Sequence, residues 1–222
     1  MPDERLLFSK LGRARYISHL DLMRTFQRAF FRAQIPIKHT EGFNPHAFVS
    51  IALPLSVGYS SDCEILEFGL LDGVEEKDVP ARMNAALPEG IVVHECYTAE
   101  QPVKALAYLE WRISFRYEGG VPAGAKDALE ELLSREALVV EKKSKKAKTG
   151  VTETDIIPLI RRRSAEEGEG ELVLRAVLAA QNPGLNPDLI RAAFEREYPA
   201  FAPVHTAFHR VRALNGEEKP FR

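Results

Sequence analysis

Three histidines in under thirty residues, His19, His39 and His46, with Tyr16 close to the first, are the side chains best suited to general acid–base chemistry. As metal ligands they lack an H-x-x-x-H spacing, and no cysteine supports them. Cys63 and Cys96 stand far apart with neither C-x-x-C nor C-x-x-x-C-x-x-C spacing. The chain therefore encodes neither a zinc ribbon nor an iron–sulfur triad, and no metal and no cofactor is expected.

A second set of residues is suited to holding a polyanion. On a helical wheel of about 100° per residue with Arg24 at zero, Arg28 falls near 40°, Arg32 near 80° and Phe31 near −20°. Leu22, Phe26, Ala29, Phe30 and Ala33 fall between about 140° and 240°, so Phe31 sits among the arginines and away from the apolar side. An arginine ladder with an interleaved aromatic can hold phosphates by charge and stack an unpaired base, the stack being worth roughly 1–3 kcal/mol per base. The same stripe is equally suited to packing against a second domain or a partner protein.

Around the helix lie two further features. Lys10-Leu11-Gly12-Arg13-Ala14-Arg15 forms a basic approach to the helix N-terminus, itself attractive to anions, without the G-x-x-x-x-G-K-[ST] pattern of a phosphate loop. Gly42-Phe43-Asn44-Pro45-His46 combines a residue free to take positive φ with a fixed proline, a rigid turn that presents Asn44 and His46 or merely closes on itself. No G-x-S-x-G elbow or nucleophilic cysteine motif is present, and His205 and His209 alternate on a final strand where partial burial explains them.

The elements that must position these residues follow from periodicity. Residues 5–17 read as a strand. Ser18 followed by Asp21 caps a helix that Pro36 ends, 47–53 and 63–71 are strands, 75–87 is a helix and 90–97 a strand. After Gln101-Pro102 the rhythm repeats: strand 109–117, helix 123–135, strands 137–143 and 171–180, helix 187–198 and strand 204–214. The expected class is α+β: two tandem ferredoxin-like domains (βαββαβ) with antiparallel sheets and helices on one face, spanning 1–100 and 105–222. A basic insertion at 142–163 separates the middle strands of the second.

The net charge of −2 hides a segregation. Residues 1–50 carry eight Lys and Arg against four Asp and Glu, and 142–163 carry eight against two, so basic surfaces sit on an otherwise acidic chain. Lys143, Lys145, Lys146, Arg161 and Arg162 join Lys10, Arg13, Arg15, Arg24, Arg28, Phe31, Arg32, Asn44 and His46 as candidate contacts to RNA or to a partner. His19, His46 and Tyr16 are the candidates for catalysis. No apolar run approaches the roughly 18 residues of a membrane span and Met1-Pro2-Asp3-Glu4 is no signal peptide, so a cytoplasmic protein is expected.

Arg15 to Arg24, Gly42 to His46, Pro54 to Gly58 and the acidic strand around Glu64 and Glu67 together resemble the start of the radical-SAM-linked family. That family is a group of uncharacterised bacterial proteins encoded beside, or fused to, cobalamin-binding radical SAM proteins. Thr154-Asp155-Ile156-Ile157-Pro158-Leu159-Ile160 resembles its later D-I-x-P-x-I element. Where the family continues N-P-H-P-K, this chain has Asn44-Pro45-His46-Ala47-Phe48, leaving the turn without a basic residue for a phosphate.

The resemblance implies a radical SAM protein as partner. Joined to the basic surfaces, it leads us to expect an accessory RNA-binding protein, non-catalytic, acting in RNA or ribosome modification. Tandem ferredoxin-like domains with a histidine near the first helix also resemble CRISPR RNA-processing endonucleases, which makes a metal-independent RNA-cleaving enzyme an alternative on fold analogy. A protein-interaction module without RNA binding is a third reading. Elemental analysis of purified protein is expected to find no stoichiometric zinc or iron. One tightly held metal per chain would overturn that and make the three clustered histidines the first ligands to test.

Overall fold

The computed structural model describes residues 4–143 and 151–222. They fall into two units, one running to Ala105 and including Arg210–Ala213 and Pro220–Arg222, the other comprising Leu106–His209 and Leu214–Lys219. The first unit is thus discontinuous in sequence, which the expected boundaries of 1–100 and 105–222 did not anticipate. Among the described residues no helix is long and apolar enough to cross a membrane.

In the first unit β1 (Glu4–Lys10) lies between β3 (Ser60–Phe68) and β4 (Ile91–Thr98), antiparallel to both, and the short β2 (Val49–Ala52) pairs with β3. The last strand, β10 (His205–Asn215), contributes its Arg210–Ala213 stretch next to β3. The strand expected over 5–17 is shorter: Gly12–Tyr16 wind into a 3-10 turn with Gly12 at φ 54, and Ile17 closes it by donating to Ala14 O. Glycine supplies the positive φ that lets the chain leave β1 and curl at once.

That turn delivers Ser18 as the cap of α1 (His19–Arg32). The Ser18 hydroxyl oxygen accepts from Asp21 N at 3.2 Å, a bond worth about 1 kcal/mol. The helix buries the face foreseen from the wheel, Leu22, Phe26, Ala29 and Phe30, against β1 and β3. The Phe26 ring lies 4.7 Å from Phe8 and the Phe30 ring 4.9 Å from Phe68. Before Pro36 is reached, Gln34 takes the left-handed conformation at φ 54, Gln34 N bonds Phe31 O and Ile35 N bonds Phe30 O. This paired closure with an apolar residue behind it is a Schellman ending. The second helix, α2 (Val79–Ala86), packs beside α1 through Val79 and Met83. Its Arg82 guanidinium donates to the Ala33 and Gln34 carbonyls at 2.7 Å, satisfying the end of α1.

The second unit is built from β5 (Leu106–Arg116), which pairs in unbroken antiparallel register with β9 (Glu171–Ala179) and lies beside β10, while β8 (Ile160–Gly168) flanks β9. Its core joins Trp111, Ile113 and Phe115 to Leu129 and Leu132 of α3 (Ala125–Leu133) and to Ile190 and Phe194 of α4 (Asp188–Glu197).

Here the expected layout needs correcting. The strand foreseen at 137–143 is β6 (Val139–Lys143), which pairs not with the sheet but with β7 (Val151–Asp155) in a separate hairpin. The sheet strand between α3 and β9 is β8, whose first four residues fall within the stretch expected as insertion. The reason is at the hairpin base. Asp155 Oδ1 accepts from Leu138 N at 2.9 Å and Ile157 N at 3.1 Å, Ile156 N donates to Leu138 O, and the Ile156 side chain is fully buried. The hairpin is tied off there, and the chain enters β8 afresh.

One buried group dominates the first unit. Glu64, fully inaccessible on β3, accepts from Arg210 Nη1 at 2.8 Å, and that nitrogen also donates to Leu53 O at 3.0 Å. Removing one partner of a buried pair costs about 3–5 kcal/mol, whereas replacing both by apolar groups is often neutral. Glu64→Gln is therefore expected to lose about 3–5 kcal/mol in urea unfolding, and Glu64→Leu with Arg210→Leu to recover most of that loss. Equal losses from the single and double replacements would contradict this account.

Candidate nucleic-acid interface

The first unit presents the candidate residues on two regions. At the start of α1 the 3-10 turn carries Arg13 and Tyr16 on the surface, and the Arg15 guanidinium lies 4.8 Å above the Tyr16 ring with Nη2 donating to the phenol oxygen at 2.8 Å. Arg15 O accepts from Gly58 N at 2.8 Å, so the segments 13–21 and 53–58 meet through the backbone. His19 opens the helix with its Nδ1 shut away from solvent and without a hydrogen bond.

Lys10 does not belong to this surface. It is 1% exposed, with Nζ donating to Ile17 O at 2.8 Å and more distantly to Arg15 O. Burial lowers its pKa while the nearby Glu64 carboxylate opposes the shift. An ammonium spent on two carbonyls inside the protein has no reach toward a phosphate, so Lys10 is not a ligand contact. It instead fastens the turn that leads into α1.

The second region is the outer face of α1 and the chain that follows it. Arg24, Arg28 and Arg32 are exposed. Arg24 has an ion pair to Asp21 at 3.3 Å, and Arg32 Nη2 donates to Ala86 O at 2.7 Å. Phe31 stands among them at 85% exposure, a large apolar surface with no fold-related reason to face water. Beside it opens a groove of about 740 Å³ lined by Gln27, Phe31, Ile35, Ile37, His39 and Leu71, among others. The Schellman ending makes this groove, because it turns residues 34–37 back along the helix instead of away from it.

The Gly42–His46 turn closes the far side of that region. His39 and Ala47 form a bridge, Thr40 N donates to His46 O, His46 N donates to Thr40 Oγ1 at 3.2 Å, and Gln27 Nε2 donates to Ala47 O at 3.0 Å. His46 Nδ1 lies 3.2 Å from Asn44 O. The same nitrogen lies 3.1 Å from Thr40 Oγ1, so the ring is held inside the turn. Gly42 sits at φ 123, a conformation barred to other residues, and the result is a braced loop with Phe43 fully exposed at its tip. Phe43 and Gln27 were not among the residues singled out from sequence. An aromatic between glycine and asparagine in a turn is a signal by which the first could be found, while Gln27 shows itself only through its contact.

The remaining candidates scatter. Arg161 and Arg162 lie on β8 of the second unit, both paired with Glu218 at 2.9 and 2.8 Å, which halves the net charge they offer to an anion. Lys143 belongs to β6, and Lys145 and Lys146 lie outside the described residues. Both thiols are buried, and burial pushes Cys63 and Cys96 up to about 12, leaving neither as a nucleophile at neutral pH. Among the described residues no cluster of three His, Cys, Asp or Glu forms that could hold a metal ion.

A family model described as "Uncharacterized protein conserved in bacteria (DUF2344)" matches residues 4–187. No curated protein matches the chain. Of the solved structures that do, one titled "Crystal Structure of a Cbf5-Nop10-Gar1 Complex" is similar at 9% identity with a TM-score of 0.53 over 96% of this chain. The chain spans about half of that protein, 49% of its length. A second, "Crystal Structure of an Unknown Protein from Galdieria sulphuraria", aligns over 94% of this chain and 98% of its own at 13% identity, with a TM-score of only 0.27. At these identities the first likeness concerns fold alone, a mixed α/β arrangement with mostly antiparallel strands and, among the described residues, four α-helices.

The bracing of the turn is testable by itself. Thr40→Val removes the oxygen that accepts from His46 N, a neutral hydrogen bond worth about 1 kcal/mol. Amide exchange at His46 is expected to quicken about fivefold with global unfolding nearly unchanged. Unaltered exchange would show that the turn is held from elsewhere.

Proposed function

The chain belongs to the bacterial family whose model spans residues 4–187, and we propose that within it the protein is an accessory RNA-binding protein working beside a radical SAM enzyme. One observation carries the RNA reading: Phe31 is held almost fully in solvent between Arg28 and Arg32 on the outer face of α1. Cations beside an exposed ring supply the two elements that single-stranded RNA recognition uses, charge for the backbone and a platform for a base. The link to a radical SAM partner rests on the motif resemblance of Arg15–Arg24, Gly42–His46 and Pro54–Gly58.

The orders β4-β1-β3-β2 and β10-β5-β9-β8, each with two helices connecting the strands, support a ferredoxin-like arrangement in both units. The apolar groove beside Phe31 favours one competing reading, a protein-interaction module that seats a partner's apolar segment there. RNA cleavage draws less support, because His19 has one ring nitrogen buried and His46 is engaged within its own turn.

Salt dependence separates the readings. Arg24→Gln and Arg28→Gln are each expected to flatten the dependence of log affinity on log salt by about 0.7, one phosphate contact on a single strand. Phe31→Ala is expected to weaken binding with the slope unchanged, since stacking releases few ions. If all three variants bind RNA as the parent does yet fail to retain a radical SAM partner in a pull-down, the face is a protein interface.

A further inference from the structure

Phe43 is fully exposed at the tip of the Gly42–His46 turn and contributes nothing to the packing of the first unit. The chain that carries it is nonetheless held at several points. His39 and Ala47 form a bridge, Thr40 N donates to His46 O and Phe48 N to Lys38 O, both at 2.9 Å, and Gln27 Nε2 ties Ala47 O to α1 at 3.0 Å. Gly42 sets the tip at φ 123. A Cβ at Gly42 would meet nothing within 4 Å, so the glycine is required for its conformation and not for space. A ring held rigidly in water loses little freedom when a flat partner settles on it, which makes it a low-cost stacking surface.

We propose that Phe43 is a second platform for a base of single-stranded RNA, receiving a different base from the one stacked on Phe31. The proposal rests on the RNA reading of the outer face of α1 and extends that site onto the turn. Continuity of the surface supports it. The groove beside Phe31 is walled by Gln27 and Arg32 of the helix and by Gln34 at its ending, and also by His39 and Ala47, the bridge at the base of the turn. A strand lying along this groove is therefore led from the helix to the segment that carries Phe43.

Charge complementarity selects a polyanion as the occupant, because exposed Arg24, Arg28 and Arg32 run along α1. The turn divides the labour differently. It has no lysine or arginine, and exposed Glu41 precedes it, so its tip is suited to the uncharged face of a base and not to a phosphate. Exposed Asn44 beside the ring can donate and accept at a base edge. Stacking is tolerant of base identity, so the second platform adds affinity and lengthens the site without choosing a sequence.

The test is binding of a fluorescein-labelled octameric oligo(U) to the full chain by anisotropy, beside an octamer of the same sugar–phosphate backbone without bases. Phe43→Ala is expected to weaken oligo(U) about tenfold, as for one stacked base, with the salt dependence unchanged and binding of the baseless octamer unaltered. Phe43→Trp should bind oligo(U) at least as tightly as the parent, and Phe43→Leu should resemble Phe43→Ala, since an aliphatic chain offers no ring face. Phe31→Ala with Phe43→Ala should cost about a hundredfold, the product of two separate bases. Because Phe43 is fully exposed, these variants are expected to melt with the parent. If Phe43→Ala binds oligo(U) as the parent does while Phe31→Ala is weakened, or if Phe43→Leu binds as the parent does, the second platform is overturned and the RNA reading stands. Failure of the unaltered protein to bind oligo(U) at all would overturn both and assign the two exposed rings to a protein partner.

Discussion

A carboxylate without access to water must be paired, and the first unit is organised around meeting that demand at Glu64. Arg210 meets it directly and in the same gesture holds Leu53 O, which anchors the loop running to Gly58. Lys10 adds a second positive charge nearby while its ammonium grips the Ile17 and Arg15 carbonyls. Arg15 O in turn receives Gly58 N, closing the circuit. Several residues that look like ligand contacts in the sequence are members of this internal circuit. Their service is to fix where α1 begins.

Fixing that start fixes everything the helix displays. With Ser18 capping and Phe26 and Phe30 wedged against Phe8 and Phe68, α1 has no freedom to rotate, so the arginines and Phe31 are committed to the outer face. Gln34 then bends the chain back at a cost in backbone strain of order 1 kcal/mol, which the two closing hydrogen bonds and the buried Ile35 offset. A glycine there would be easier to fold. The observed residue shows that tertiary packing, more than local preference, determines this turn, and the groove is the space left under it.

How much of this could be read in advance depended on whether the physics was local. The cap, the buried face of α1 and the alternation of β5 are local, and they stand where periodicity put them. The burial of Lys10 is not legible because its charge is visible in the sequence, while the Glu64 carboxylate near it is distant in the chain and the Arg15 and Ile17 carbonyls reach it only through the fold of the 3-10 turn. The strand order of the second unit is hidden for a related reason. Residues 137–143 have the stronger strand pattern, whereas β8, Ile160-Arg161-Arg162-Arg163-Ser164-Ala165-Glu166-Glu167-Gly168, is polar apart from the buried Ile160 and half-buried Ala165, because it lies at the sheet edge and shows most of its side chains to water. Composition marks such an edge strand as insertion. Only the pairing with β9 reveals it as part of the sheet.

The discontinuity of the first unit has a consequence for biosynthesis. Glu64 and Arg210 are separated by 146 positions, so the acid leaves the ribosome long before the base that neutralises it. At roughly 5–20 residues per second the interval is on the order of 7–30 seconds, far longer than helix or hairpin formation. Through that interval the nascent first unit holds a carboxylate it cannot bury without Arg210, with only Lys10 to shield it. Completion of the first unit therefore waits on the distant strand that carries Arg210, and a polypeptide cut short before that strand would leave the unit open, its acid unpaired.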